Sequence, residues 1–326
     1  MSRASAARPG TQGQRAPADP VIADRASRVA LGPGSRSRVS ARSLGRGTRE
    51  RRQADSGVLQ NGSMTEARPT FDDGAAYDEF MGRWSRAVGA VFLDWLAAPR
   101  KAAWLDIGCG TGAFTTLIVK TCKPARVSAV DPGTAQIAFA RRQPVAKRAD
   151  FRVADAQALP FSDGTFDVVA SALVINFIPD RARGVGEMRR VARPYGMVGG
   201  YVWDFVADLS ASWPFNRALS GLGIDPPQLP GTPESTLEGL AALFAGAGFH
   251  DIATRAIDVT CAFRDFDTFW RTQTPLMHPV GKLVATLSET DRAALMDAVR
   301  AQVPAGPDGR IAYSARANAV MGRVPR

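Results

Sequence analysis

A nine-residue string, Trp104-Leu105-Asp106-Ile107-Gly108-Cys109-Gly110-Thr111-Gly112, joins an acid to alternating glycines. Glycine admits positive φ and close backbone approach, so a ligand can lie directly on such a loop. Dinucleotide enzymes use the spacing G-x-G-x-x-G and seat a pyrophosphate at the helix N-terminus. Here the spacing is G-x-G-x-G with Asp106 two residues ahead, which suits a ligand carrying an amino group and no phosphate. A second acid, Asp131, followed by Pro132, ends the string Val127-Ser128-Ala129-Val130-Asp131. A carboxylate at that place can accept hydrogen bonds from both hydroxyls of a ribose. A third, Asp155, closes Phe151-Arg152-Val153-Ala154. It can accept from an adenine amino group, with the Ala156 backbone completing that edge.

The elements that would carry these acids alternate strand and helix, the mark of a parallel sheet. Strands are expected over 102–107, 126–130, 151–154, 166–174 and 197–203. Helices are expected over 112–121, 135–142 and from an Asp180 N-cap to Val191, with Pro194 as the stop. Phe166–Val174 is almost wholly apolar, as a central buried strand should be. Ahead of the sheet, Tyr77, Phe80, Met81, Trp84, Val88, Val91, Phe92, Trp95 and Leu96 recur at helical spacing, with a break near Gly82 or Ser85. Beyond it, 205–235 reads as irregular, 236–247 as a helix, 252–259 as a strand, 265–303 as broken helices and 310–324 as a final strand. The Arg189-Arg190 pair reads as a solvated helix face.

Composition narrows the chemistry. The three cysteines, Cys109, Cys122 and Cys261, have no metal-ligand or disulfide spacing, and only His250 and His278 could serve a zinc ion, so no metal is expected. Cys109 reads as a small loop residue rather than a nucleophile, and His250 as a solvated residue after a helix stop. The net charge is +10. Residues 1–63 supply most of it, with twelve arginines against four acids. That segment lacks a hydrophobic period and is expected to be a disordered basic extension. Nucleic acid is therefore an unlikely partner for the folded part. No apolar run approaches the roughly 20 residues of a membrane span, and Arg51-Arg52 is not followed by an export-type apolar stretch. A cytoplasmic protein is expected.

The glycine loop, the three acids and the string Phe166-Asp167-Val168-Val169-Ala170-Ser171 together resemble the class I S-adenosylmethionine-dependent methyltransferases. They resemble in particular the small-molecule group typified by ubiquinone and menaquinone biosynthesis, the methyltransferase type 11 group. The resemblance covers roughly residues 75–262. It implies an α/β fold with a doubly wound, seven-stranded, mostly parallel sheet of Rossmann-like methyltransferase type, its last strand antiparallel, with helical insertions over the carboxyl edge. The methyltransferase domain would span 72–326, with a core at 100–262 and a variable helical cap at 205–235 and 265–303.

The same resemblance implies roles. Gly108, Cys109, Gly110 and Gly112 would line the methionine part of S-adenosylmethionine, with Asp106 beside its amino group. Asp131 and Pro132 would lie at the ribose, Asp155 and Ala156 at the adenine, and Asn176 and Phe177 beside the reacting methyl. Tyr77, Phe80, Trp84 and Trp203 are candidates for the pocket wall. Tyr77, Asp204 and His278 are the candidate bases if a small-molecule acceptor must lose a proton. Two departures stand out. Pro194-Tyr195-Gly196 replaces the usual Pro-Gly-Gly, and a tyrosine that resists positive φ should change that turn. Asn176 stands where several relatives carry a histidine. The competing readings are an NAD(P)-dependent oxidoreductase, an RNA methyltransferase using the basic tail, and an inactive partner-binding scaffold.

Overall fold

The computed structural model describes residues 78–326. The basic extension and Tyr77 lie outside the described residues. Seven strands, β1 (Ala103–Ile107), β2 (Arg126–Asp131), β3 (Asp150–Val153), β4 (Phe166–Ala172), β5 (Ala192–Trp203), β6 (His250–Phe263) and β7 (Ile311–Arg323), form one sheet. Their order is β3-β2-β1-β4-β5-β7-β6. The first five run parallel, and β7 is antiparallel to both β5 and β6. This is the doubly wound, mostly parallel sheet that the resemblance implies.

Strand alternation sorts side chains onto two faces. Trp104, Val168, Ala170, Tyr201 and Ala317 pack beneath α1 (Arg83–Leu96) and α2 (Ala113–Thr121). Leu105, Ile107, Val169, Val198 and Val320 pack against α4 (Arg181–Val191) and α6 (Leu237–Gly246). The smaller α3 (Thr134–Ala140) covers Ala129 and Phe151 with Ile137 and Ala140. The break expected near Gly82 is a change of helix type, with a π-helical turn, Asp78–Gly82, running straight into α1.

The pairing of β5 with β7 ends at Trp203↔Ala317. Residues 311–316 therefore continue past the carboxyl edge, paired only with 258–263 of β6. On this overhang sits a helical cap of α5 (Trp213–Gly221), α7 (Phe266–Gln273), α8 (Pro279–Thr286) and α9 (Glu289–Gln302). Aromatic rings cement it, with Phe263, Phe269, Tyr313 and Phe215 meeting at centroid distances of 5.3 to 5.9 Å.

Two local expectations need correction. The stretch 205–235 is not irregular throughout, because Pro214 occupies the first turn of α5, where its missing N–H costs nothing. Within β5, Tyr195 does take positive φ, at +60°, and its side chain stays 57% exposed. Backbone bonds hold it from both sides: Tyr195 N donates to Val324 O, and Val324 N donates to Gly196 O. The chain from Ala192 to Met197 bulges against Phe166 to Val168, so the strand begins before Pro194 rather than after it.

Candidate functional site

The glycine turn is pinned at both ends. Gly108 N and Cys109 N both donate to Val130 O, at 2.8 and 2.9 Å, and Gly112 N closes back on Cys109 O. Gly108 adopts φ +72°, and a Cβ there would collide with the Val174 side chain just past β4. Cys109 is buried, and its thiol is pushed well above the usual range by burial and then by the nearby Asp106 and Asp131 charges. It is a packing residue of the turn.

Asp106 follows Trp104 on the α1/α2 face of β1 and is 0% exposed. Its Oδ2 accepts from Thr115 Oγ1 of α2 at 2.6 Å, while its Oδ1 has no partner. Burial drives its pKa up to about 7; the Thr115 bond opposes this and the Asp131 charge adds to it. Thr115, the second half of this pair, escaped sequence reading, although helical phase from the glycine turn could have indicated it. Asp131, at the end of the neighbouring strand, accepts from Gly110 N at 2.9 Å and Gly133 N at 2.8 Å. Burial raises its pKa and the two amide bonds lower it. It thus ties the second strand to the glycine turn and retains outer lone pairs for a ligand. Pro132 follows in the same turn.

Asp155 lies just past β3, where Ala154 N donates to Asp131 O at 3.1 Å. Its carboxylate accepts from the backbone N and the side-chain Nε2 of Gln157. Ala156 beside it is buried. The three acids therefore end three adjacent parallel strands at one sheet edge. A small opening over the turn is lined by Gly108–Thr111, Met81, Ser85, Phe114 and Ala172, and none of the three acids lines it.

The remaining candidates lie around this edge. Asn176 is 2% exposed and donates to Pro230 O at 3.3 Å, under a loop in which Gly231 leaves no room for a Cβ. Phe177 is half-buried beside it. Asp204 Oδ1 accepts from Ala207 N at 3.1 Å. His278 caps α8, with Nδ1 accepting from Val280 N, and its ring packs 4.8 Å from Phe80. Burial lowers its pKa to about 4, so at neutral pH it is uncharged, with its proton on Nε2. That nitrogen donates and does not accept. Phe80, Trp84 and Trp203 are 2%, 0% and 6% exposed and belong to the core. No group of three or more metal-ligating side chains exists among the described residues.

Residues 105–199 match the family model described as a methyltransferase domain. Over that stretch, under a third of the chain, it is similar to the type 11 group of the class I S-adenosylmethionine-dependent methyltransferases. The biotin biosynthesis bifunctional protein BioHC of Cellvibrio japonicus is 38% identical over 123 residues, 37% of this chain and 24% of that protein. Demethylmenaquinone methyltransferase of Thermus thermophilus is 36% identical over 116 residues, 35% of this chain and 51% of that protein. The chain thus matches between a quarter and about half of the length of these curated relatives. Among solved structures, the YcgJ protein of Bacillus subtilis aligns over 73% of this chain and 98% of its own, at 18% identity and a TM-score of 0.49.

Proposed function

We propose that this chain transfers a methyl group from S-adenosylmethionine to a small-molecule acceptor in the cytoplasm. The observation that carries the reading is Asp106, a buried carboxylate beside the glycine turn with one oxygen unpartnered. An uncompensated buried charge is costly, and a ligand ammonium at that oxygen would relieve the cost. A pyrophosphate in the same place would meet the negative field of Asp106 and Asp131, which disfavours a dinucleotide.

When bound, S-adenosylmethionine supplies a methyl made electrophilic by its sulfonium. The chain's own residues hold and align. Gly108, Cys109, Gly110 and Gly112 shape the floor, Asp106 takes the amino group, and Asp131 with Pro132 the ribose. Asp155 and Ala156 take the adenine edge. Asn176 and Phe177 border the acceptor side. Asp204 Oδ1 and His278 Nδ1 each accept from a backbone amide, and no base is assigned. The catalytic contribution assigned to the protein is therefore orientation and exclusion of water. Calorimetry with S-adenosylhomocysteine and with NADH tests this directly. Micromolar binding of the first and none of the second is expected, and the reverse would overturn the reading. Labelled-methyl transfer into a metabolite panel then identifies the acceptor.

A further inference from the structure

Helix α4 grips the segment between β3 and β4 at every second residue from 157 to 163. Arg183 Nε donates to Gln157 O at 2.9 Å. Glu187 Oε2 accepts from Leu159 N at 2.7 Å, and Arg190 Nη2 donates to Leu159 O at 3.0 Å. Arg190 Nη1 donates to Phe161 O at 2.7 Å and to Asp163 Oδ1 at 2.8 Å. Arg190 also grips Glu187 through Nε and Nη2, at 2.6 and 2.8 Å. This bond is the main reason the Glu187 carboxyl is held below the usual range. Positions 183, 187 and 190 share one helical face. Arg190 is therefore no solvated partner of the exposed Arg189.

The grip extends to Asp155. Asp180 N, at the cap of α4, donates to Gln157 Oε1 at 3.0 Å. That bond turns the amide so that Gln157 Nε2 faces both Asp155 oxygens, each at 3.1 Å. A chain of bonds thus leads from the helix cap to the carboxylate assigned to the adenine.

We propose that α4 is the positioning element of the base-recognition segment 155–161, with Arg190 and Glu187 as its positioning residues and Gln157 as the relay to Asp155. The proposal rests on the nucleoside-cofactor reading above. An unclamped loop would have to be ordered when the ligand arrives, at the expense of affinity. The clamp orders it beforehand and fixes where Asp155 meets the 6-amino group.

The test compares the dissociation constants of S-adenosylhomocysteine and of its 6-oxo analogue, S-inosylhomocysteine, which lacks the amino donor. Wild-type protein should prefer the amino form at least about tenfold, or about 1.4 kcal/mol. Arg190→Met should weaken the amino form and bring the ratio close to one, with Arg190→Lys between them. Arg181→Met serves as the control on the same helix, because Arg181 pairs with Glu234 at 3.0 Å, away from the segment. It should change thermal stability without changing the ratio. If Arg190→Met does not fold, Gln157→Met, on the segment itself, replaces it and should lower the ratio likewise. A ratio unchanged in the folded Arg190→Met or Gln157→Met variant overturns the proposal. If wild-type protein binds neither compound, the functional reading itself fails and this inference falls with it.

Discussion

Replacing Asp106 with asparagine removes a buried charge and keeps the side-chain shape, so its effects separate by pH. The carboxyl titrates near 3.8 when unfolded and at about 7 in the fold. The folded protein therefore holds a proton that the unfolded chain has released. Stability falls as pH rises from about 4 to 7 and levels off above that. Between pH 5 and 8 this group alone lowers stability by about 3 kcal/mol. His278 works the other way. Its pKa drops from 6.5 to about 4 on folding, so stability rises as pH climbs between those values. Over the same pH 5 to 8 range it adds about 2 kcal/mol. Wild-type protein should thus show a shallow net decline, deepened somewhat by Asp131, whose pKa is also raised. Asp106→Asn should instead grow more stable from pH 5 to 8. Ligand affinity has the opposite sign, since only charged Asp106 attracts an ammonium. The wild-type affinity for S-adenosylhomocysteine should weaken about 100-fold from pH 8 to pH 5, tracking the ionised fraction. The variant should bind weakly and without that slope. Urea melts and calorimetry at each pH measure both curves. A wild-type affinity that is flat across this range, or a variant that keeps the slope, would refute the assignment of Asp106 to the amino group.

Other substitutions probe single claims. Tyr195→Gly should stabilise the protein by about 1 kcal/mol, because glycine takes φ +60° without the Cβ penalty; a lower melting temperature would show that the exposed ring does more than occupy the turn. His278→Asn can still cap α8 through its side-chain oxygen, so turnover should change little, whereas a loss of about 100-fold or more would mark a general base. Tyr313→Phe removes a buried donor to Ala211 O at 2.8 Å and should cost about 1 kcal/mol in a denaturant melt, with cofactor affinity intact. Deleting residues 1–63 should leave small-molecule methylation unchanged; a steep salt dependence of RNA binding that vanishes with the deletion would favour the RNA-modifying alternative.

The sheet was legible in the sequence wherever local pattern and tertiary environment agree. Buried parallel strands such as β4 read as unbroken apolar runs, and the strand–glycine–helix junction at 107–113 announces itself through residue types that only a tight turn tolerates. The cap was less legible. Its helices hold to the β6–β7 overhang by ring contacts between Phe215, Phe263, Phe269 and Tyr313, residues far apart in the chain. No local period encodes such contacts. For the same reason Phe80, Trp84 and Trp203 invited assignment to a pocket wall. An aromatic at helical spacing looks alike whether its outer edge meets a ligand or another ring, and here Trp84 meets Trp203 edge-on at 5.9 Å.

Charges show the same division most sharply. Asp106, Asp131 and Asp155 stand out because strand ends are few and each carries an acid. Arg190 looks like any arginine on a polar helix, yet it binds Leu159 O, Phe161 O, Asp163 and Glu187 at once. Backbone carbonyls and distant carboxylates leave no local trace in the residue string, so a side chain held by them cannot be distinguished there from a solvated one. Sequence therefore exposes the groups that would touch a ligand more readily than those that hold such groups in place. The helix facing a ligand-bearing loop is where the hidden class should be sought, at positions spaced i, i+4 and i+7 like 183, 187 and 190.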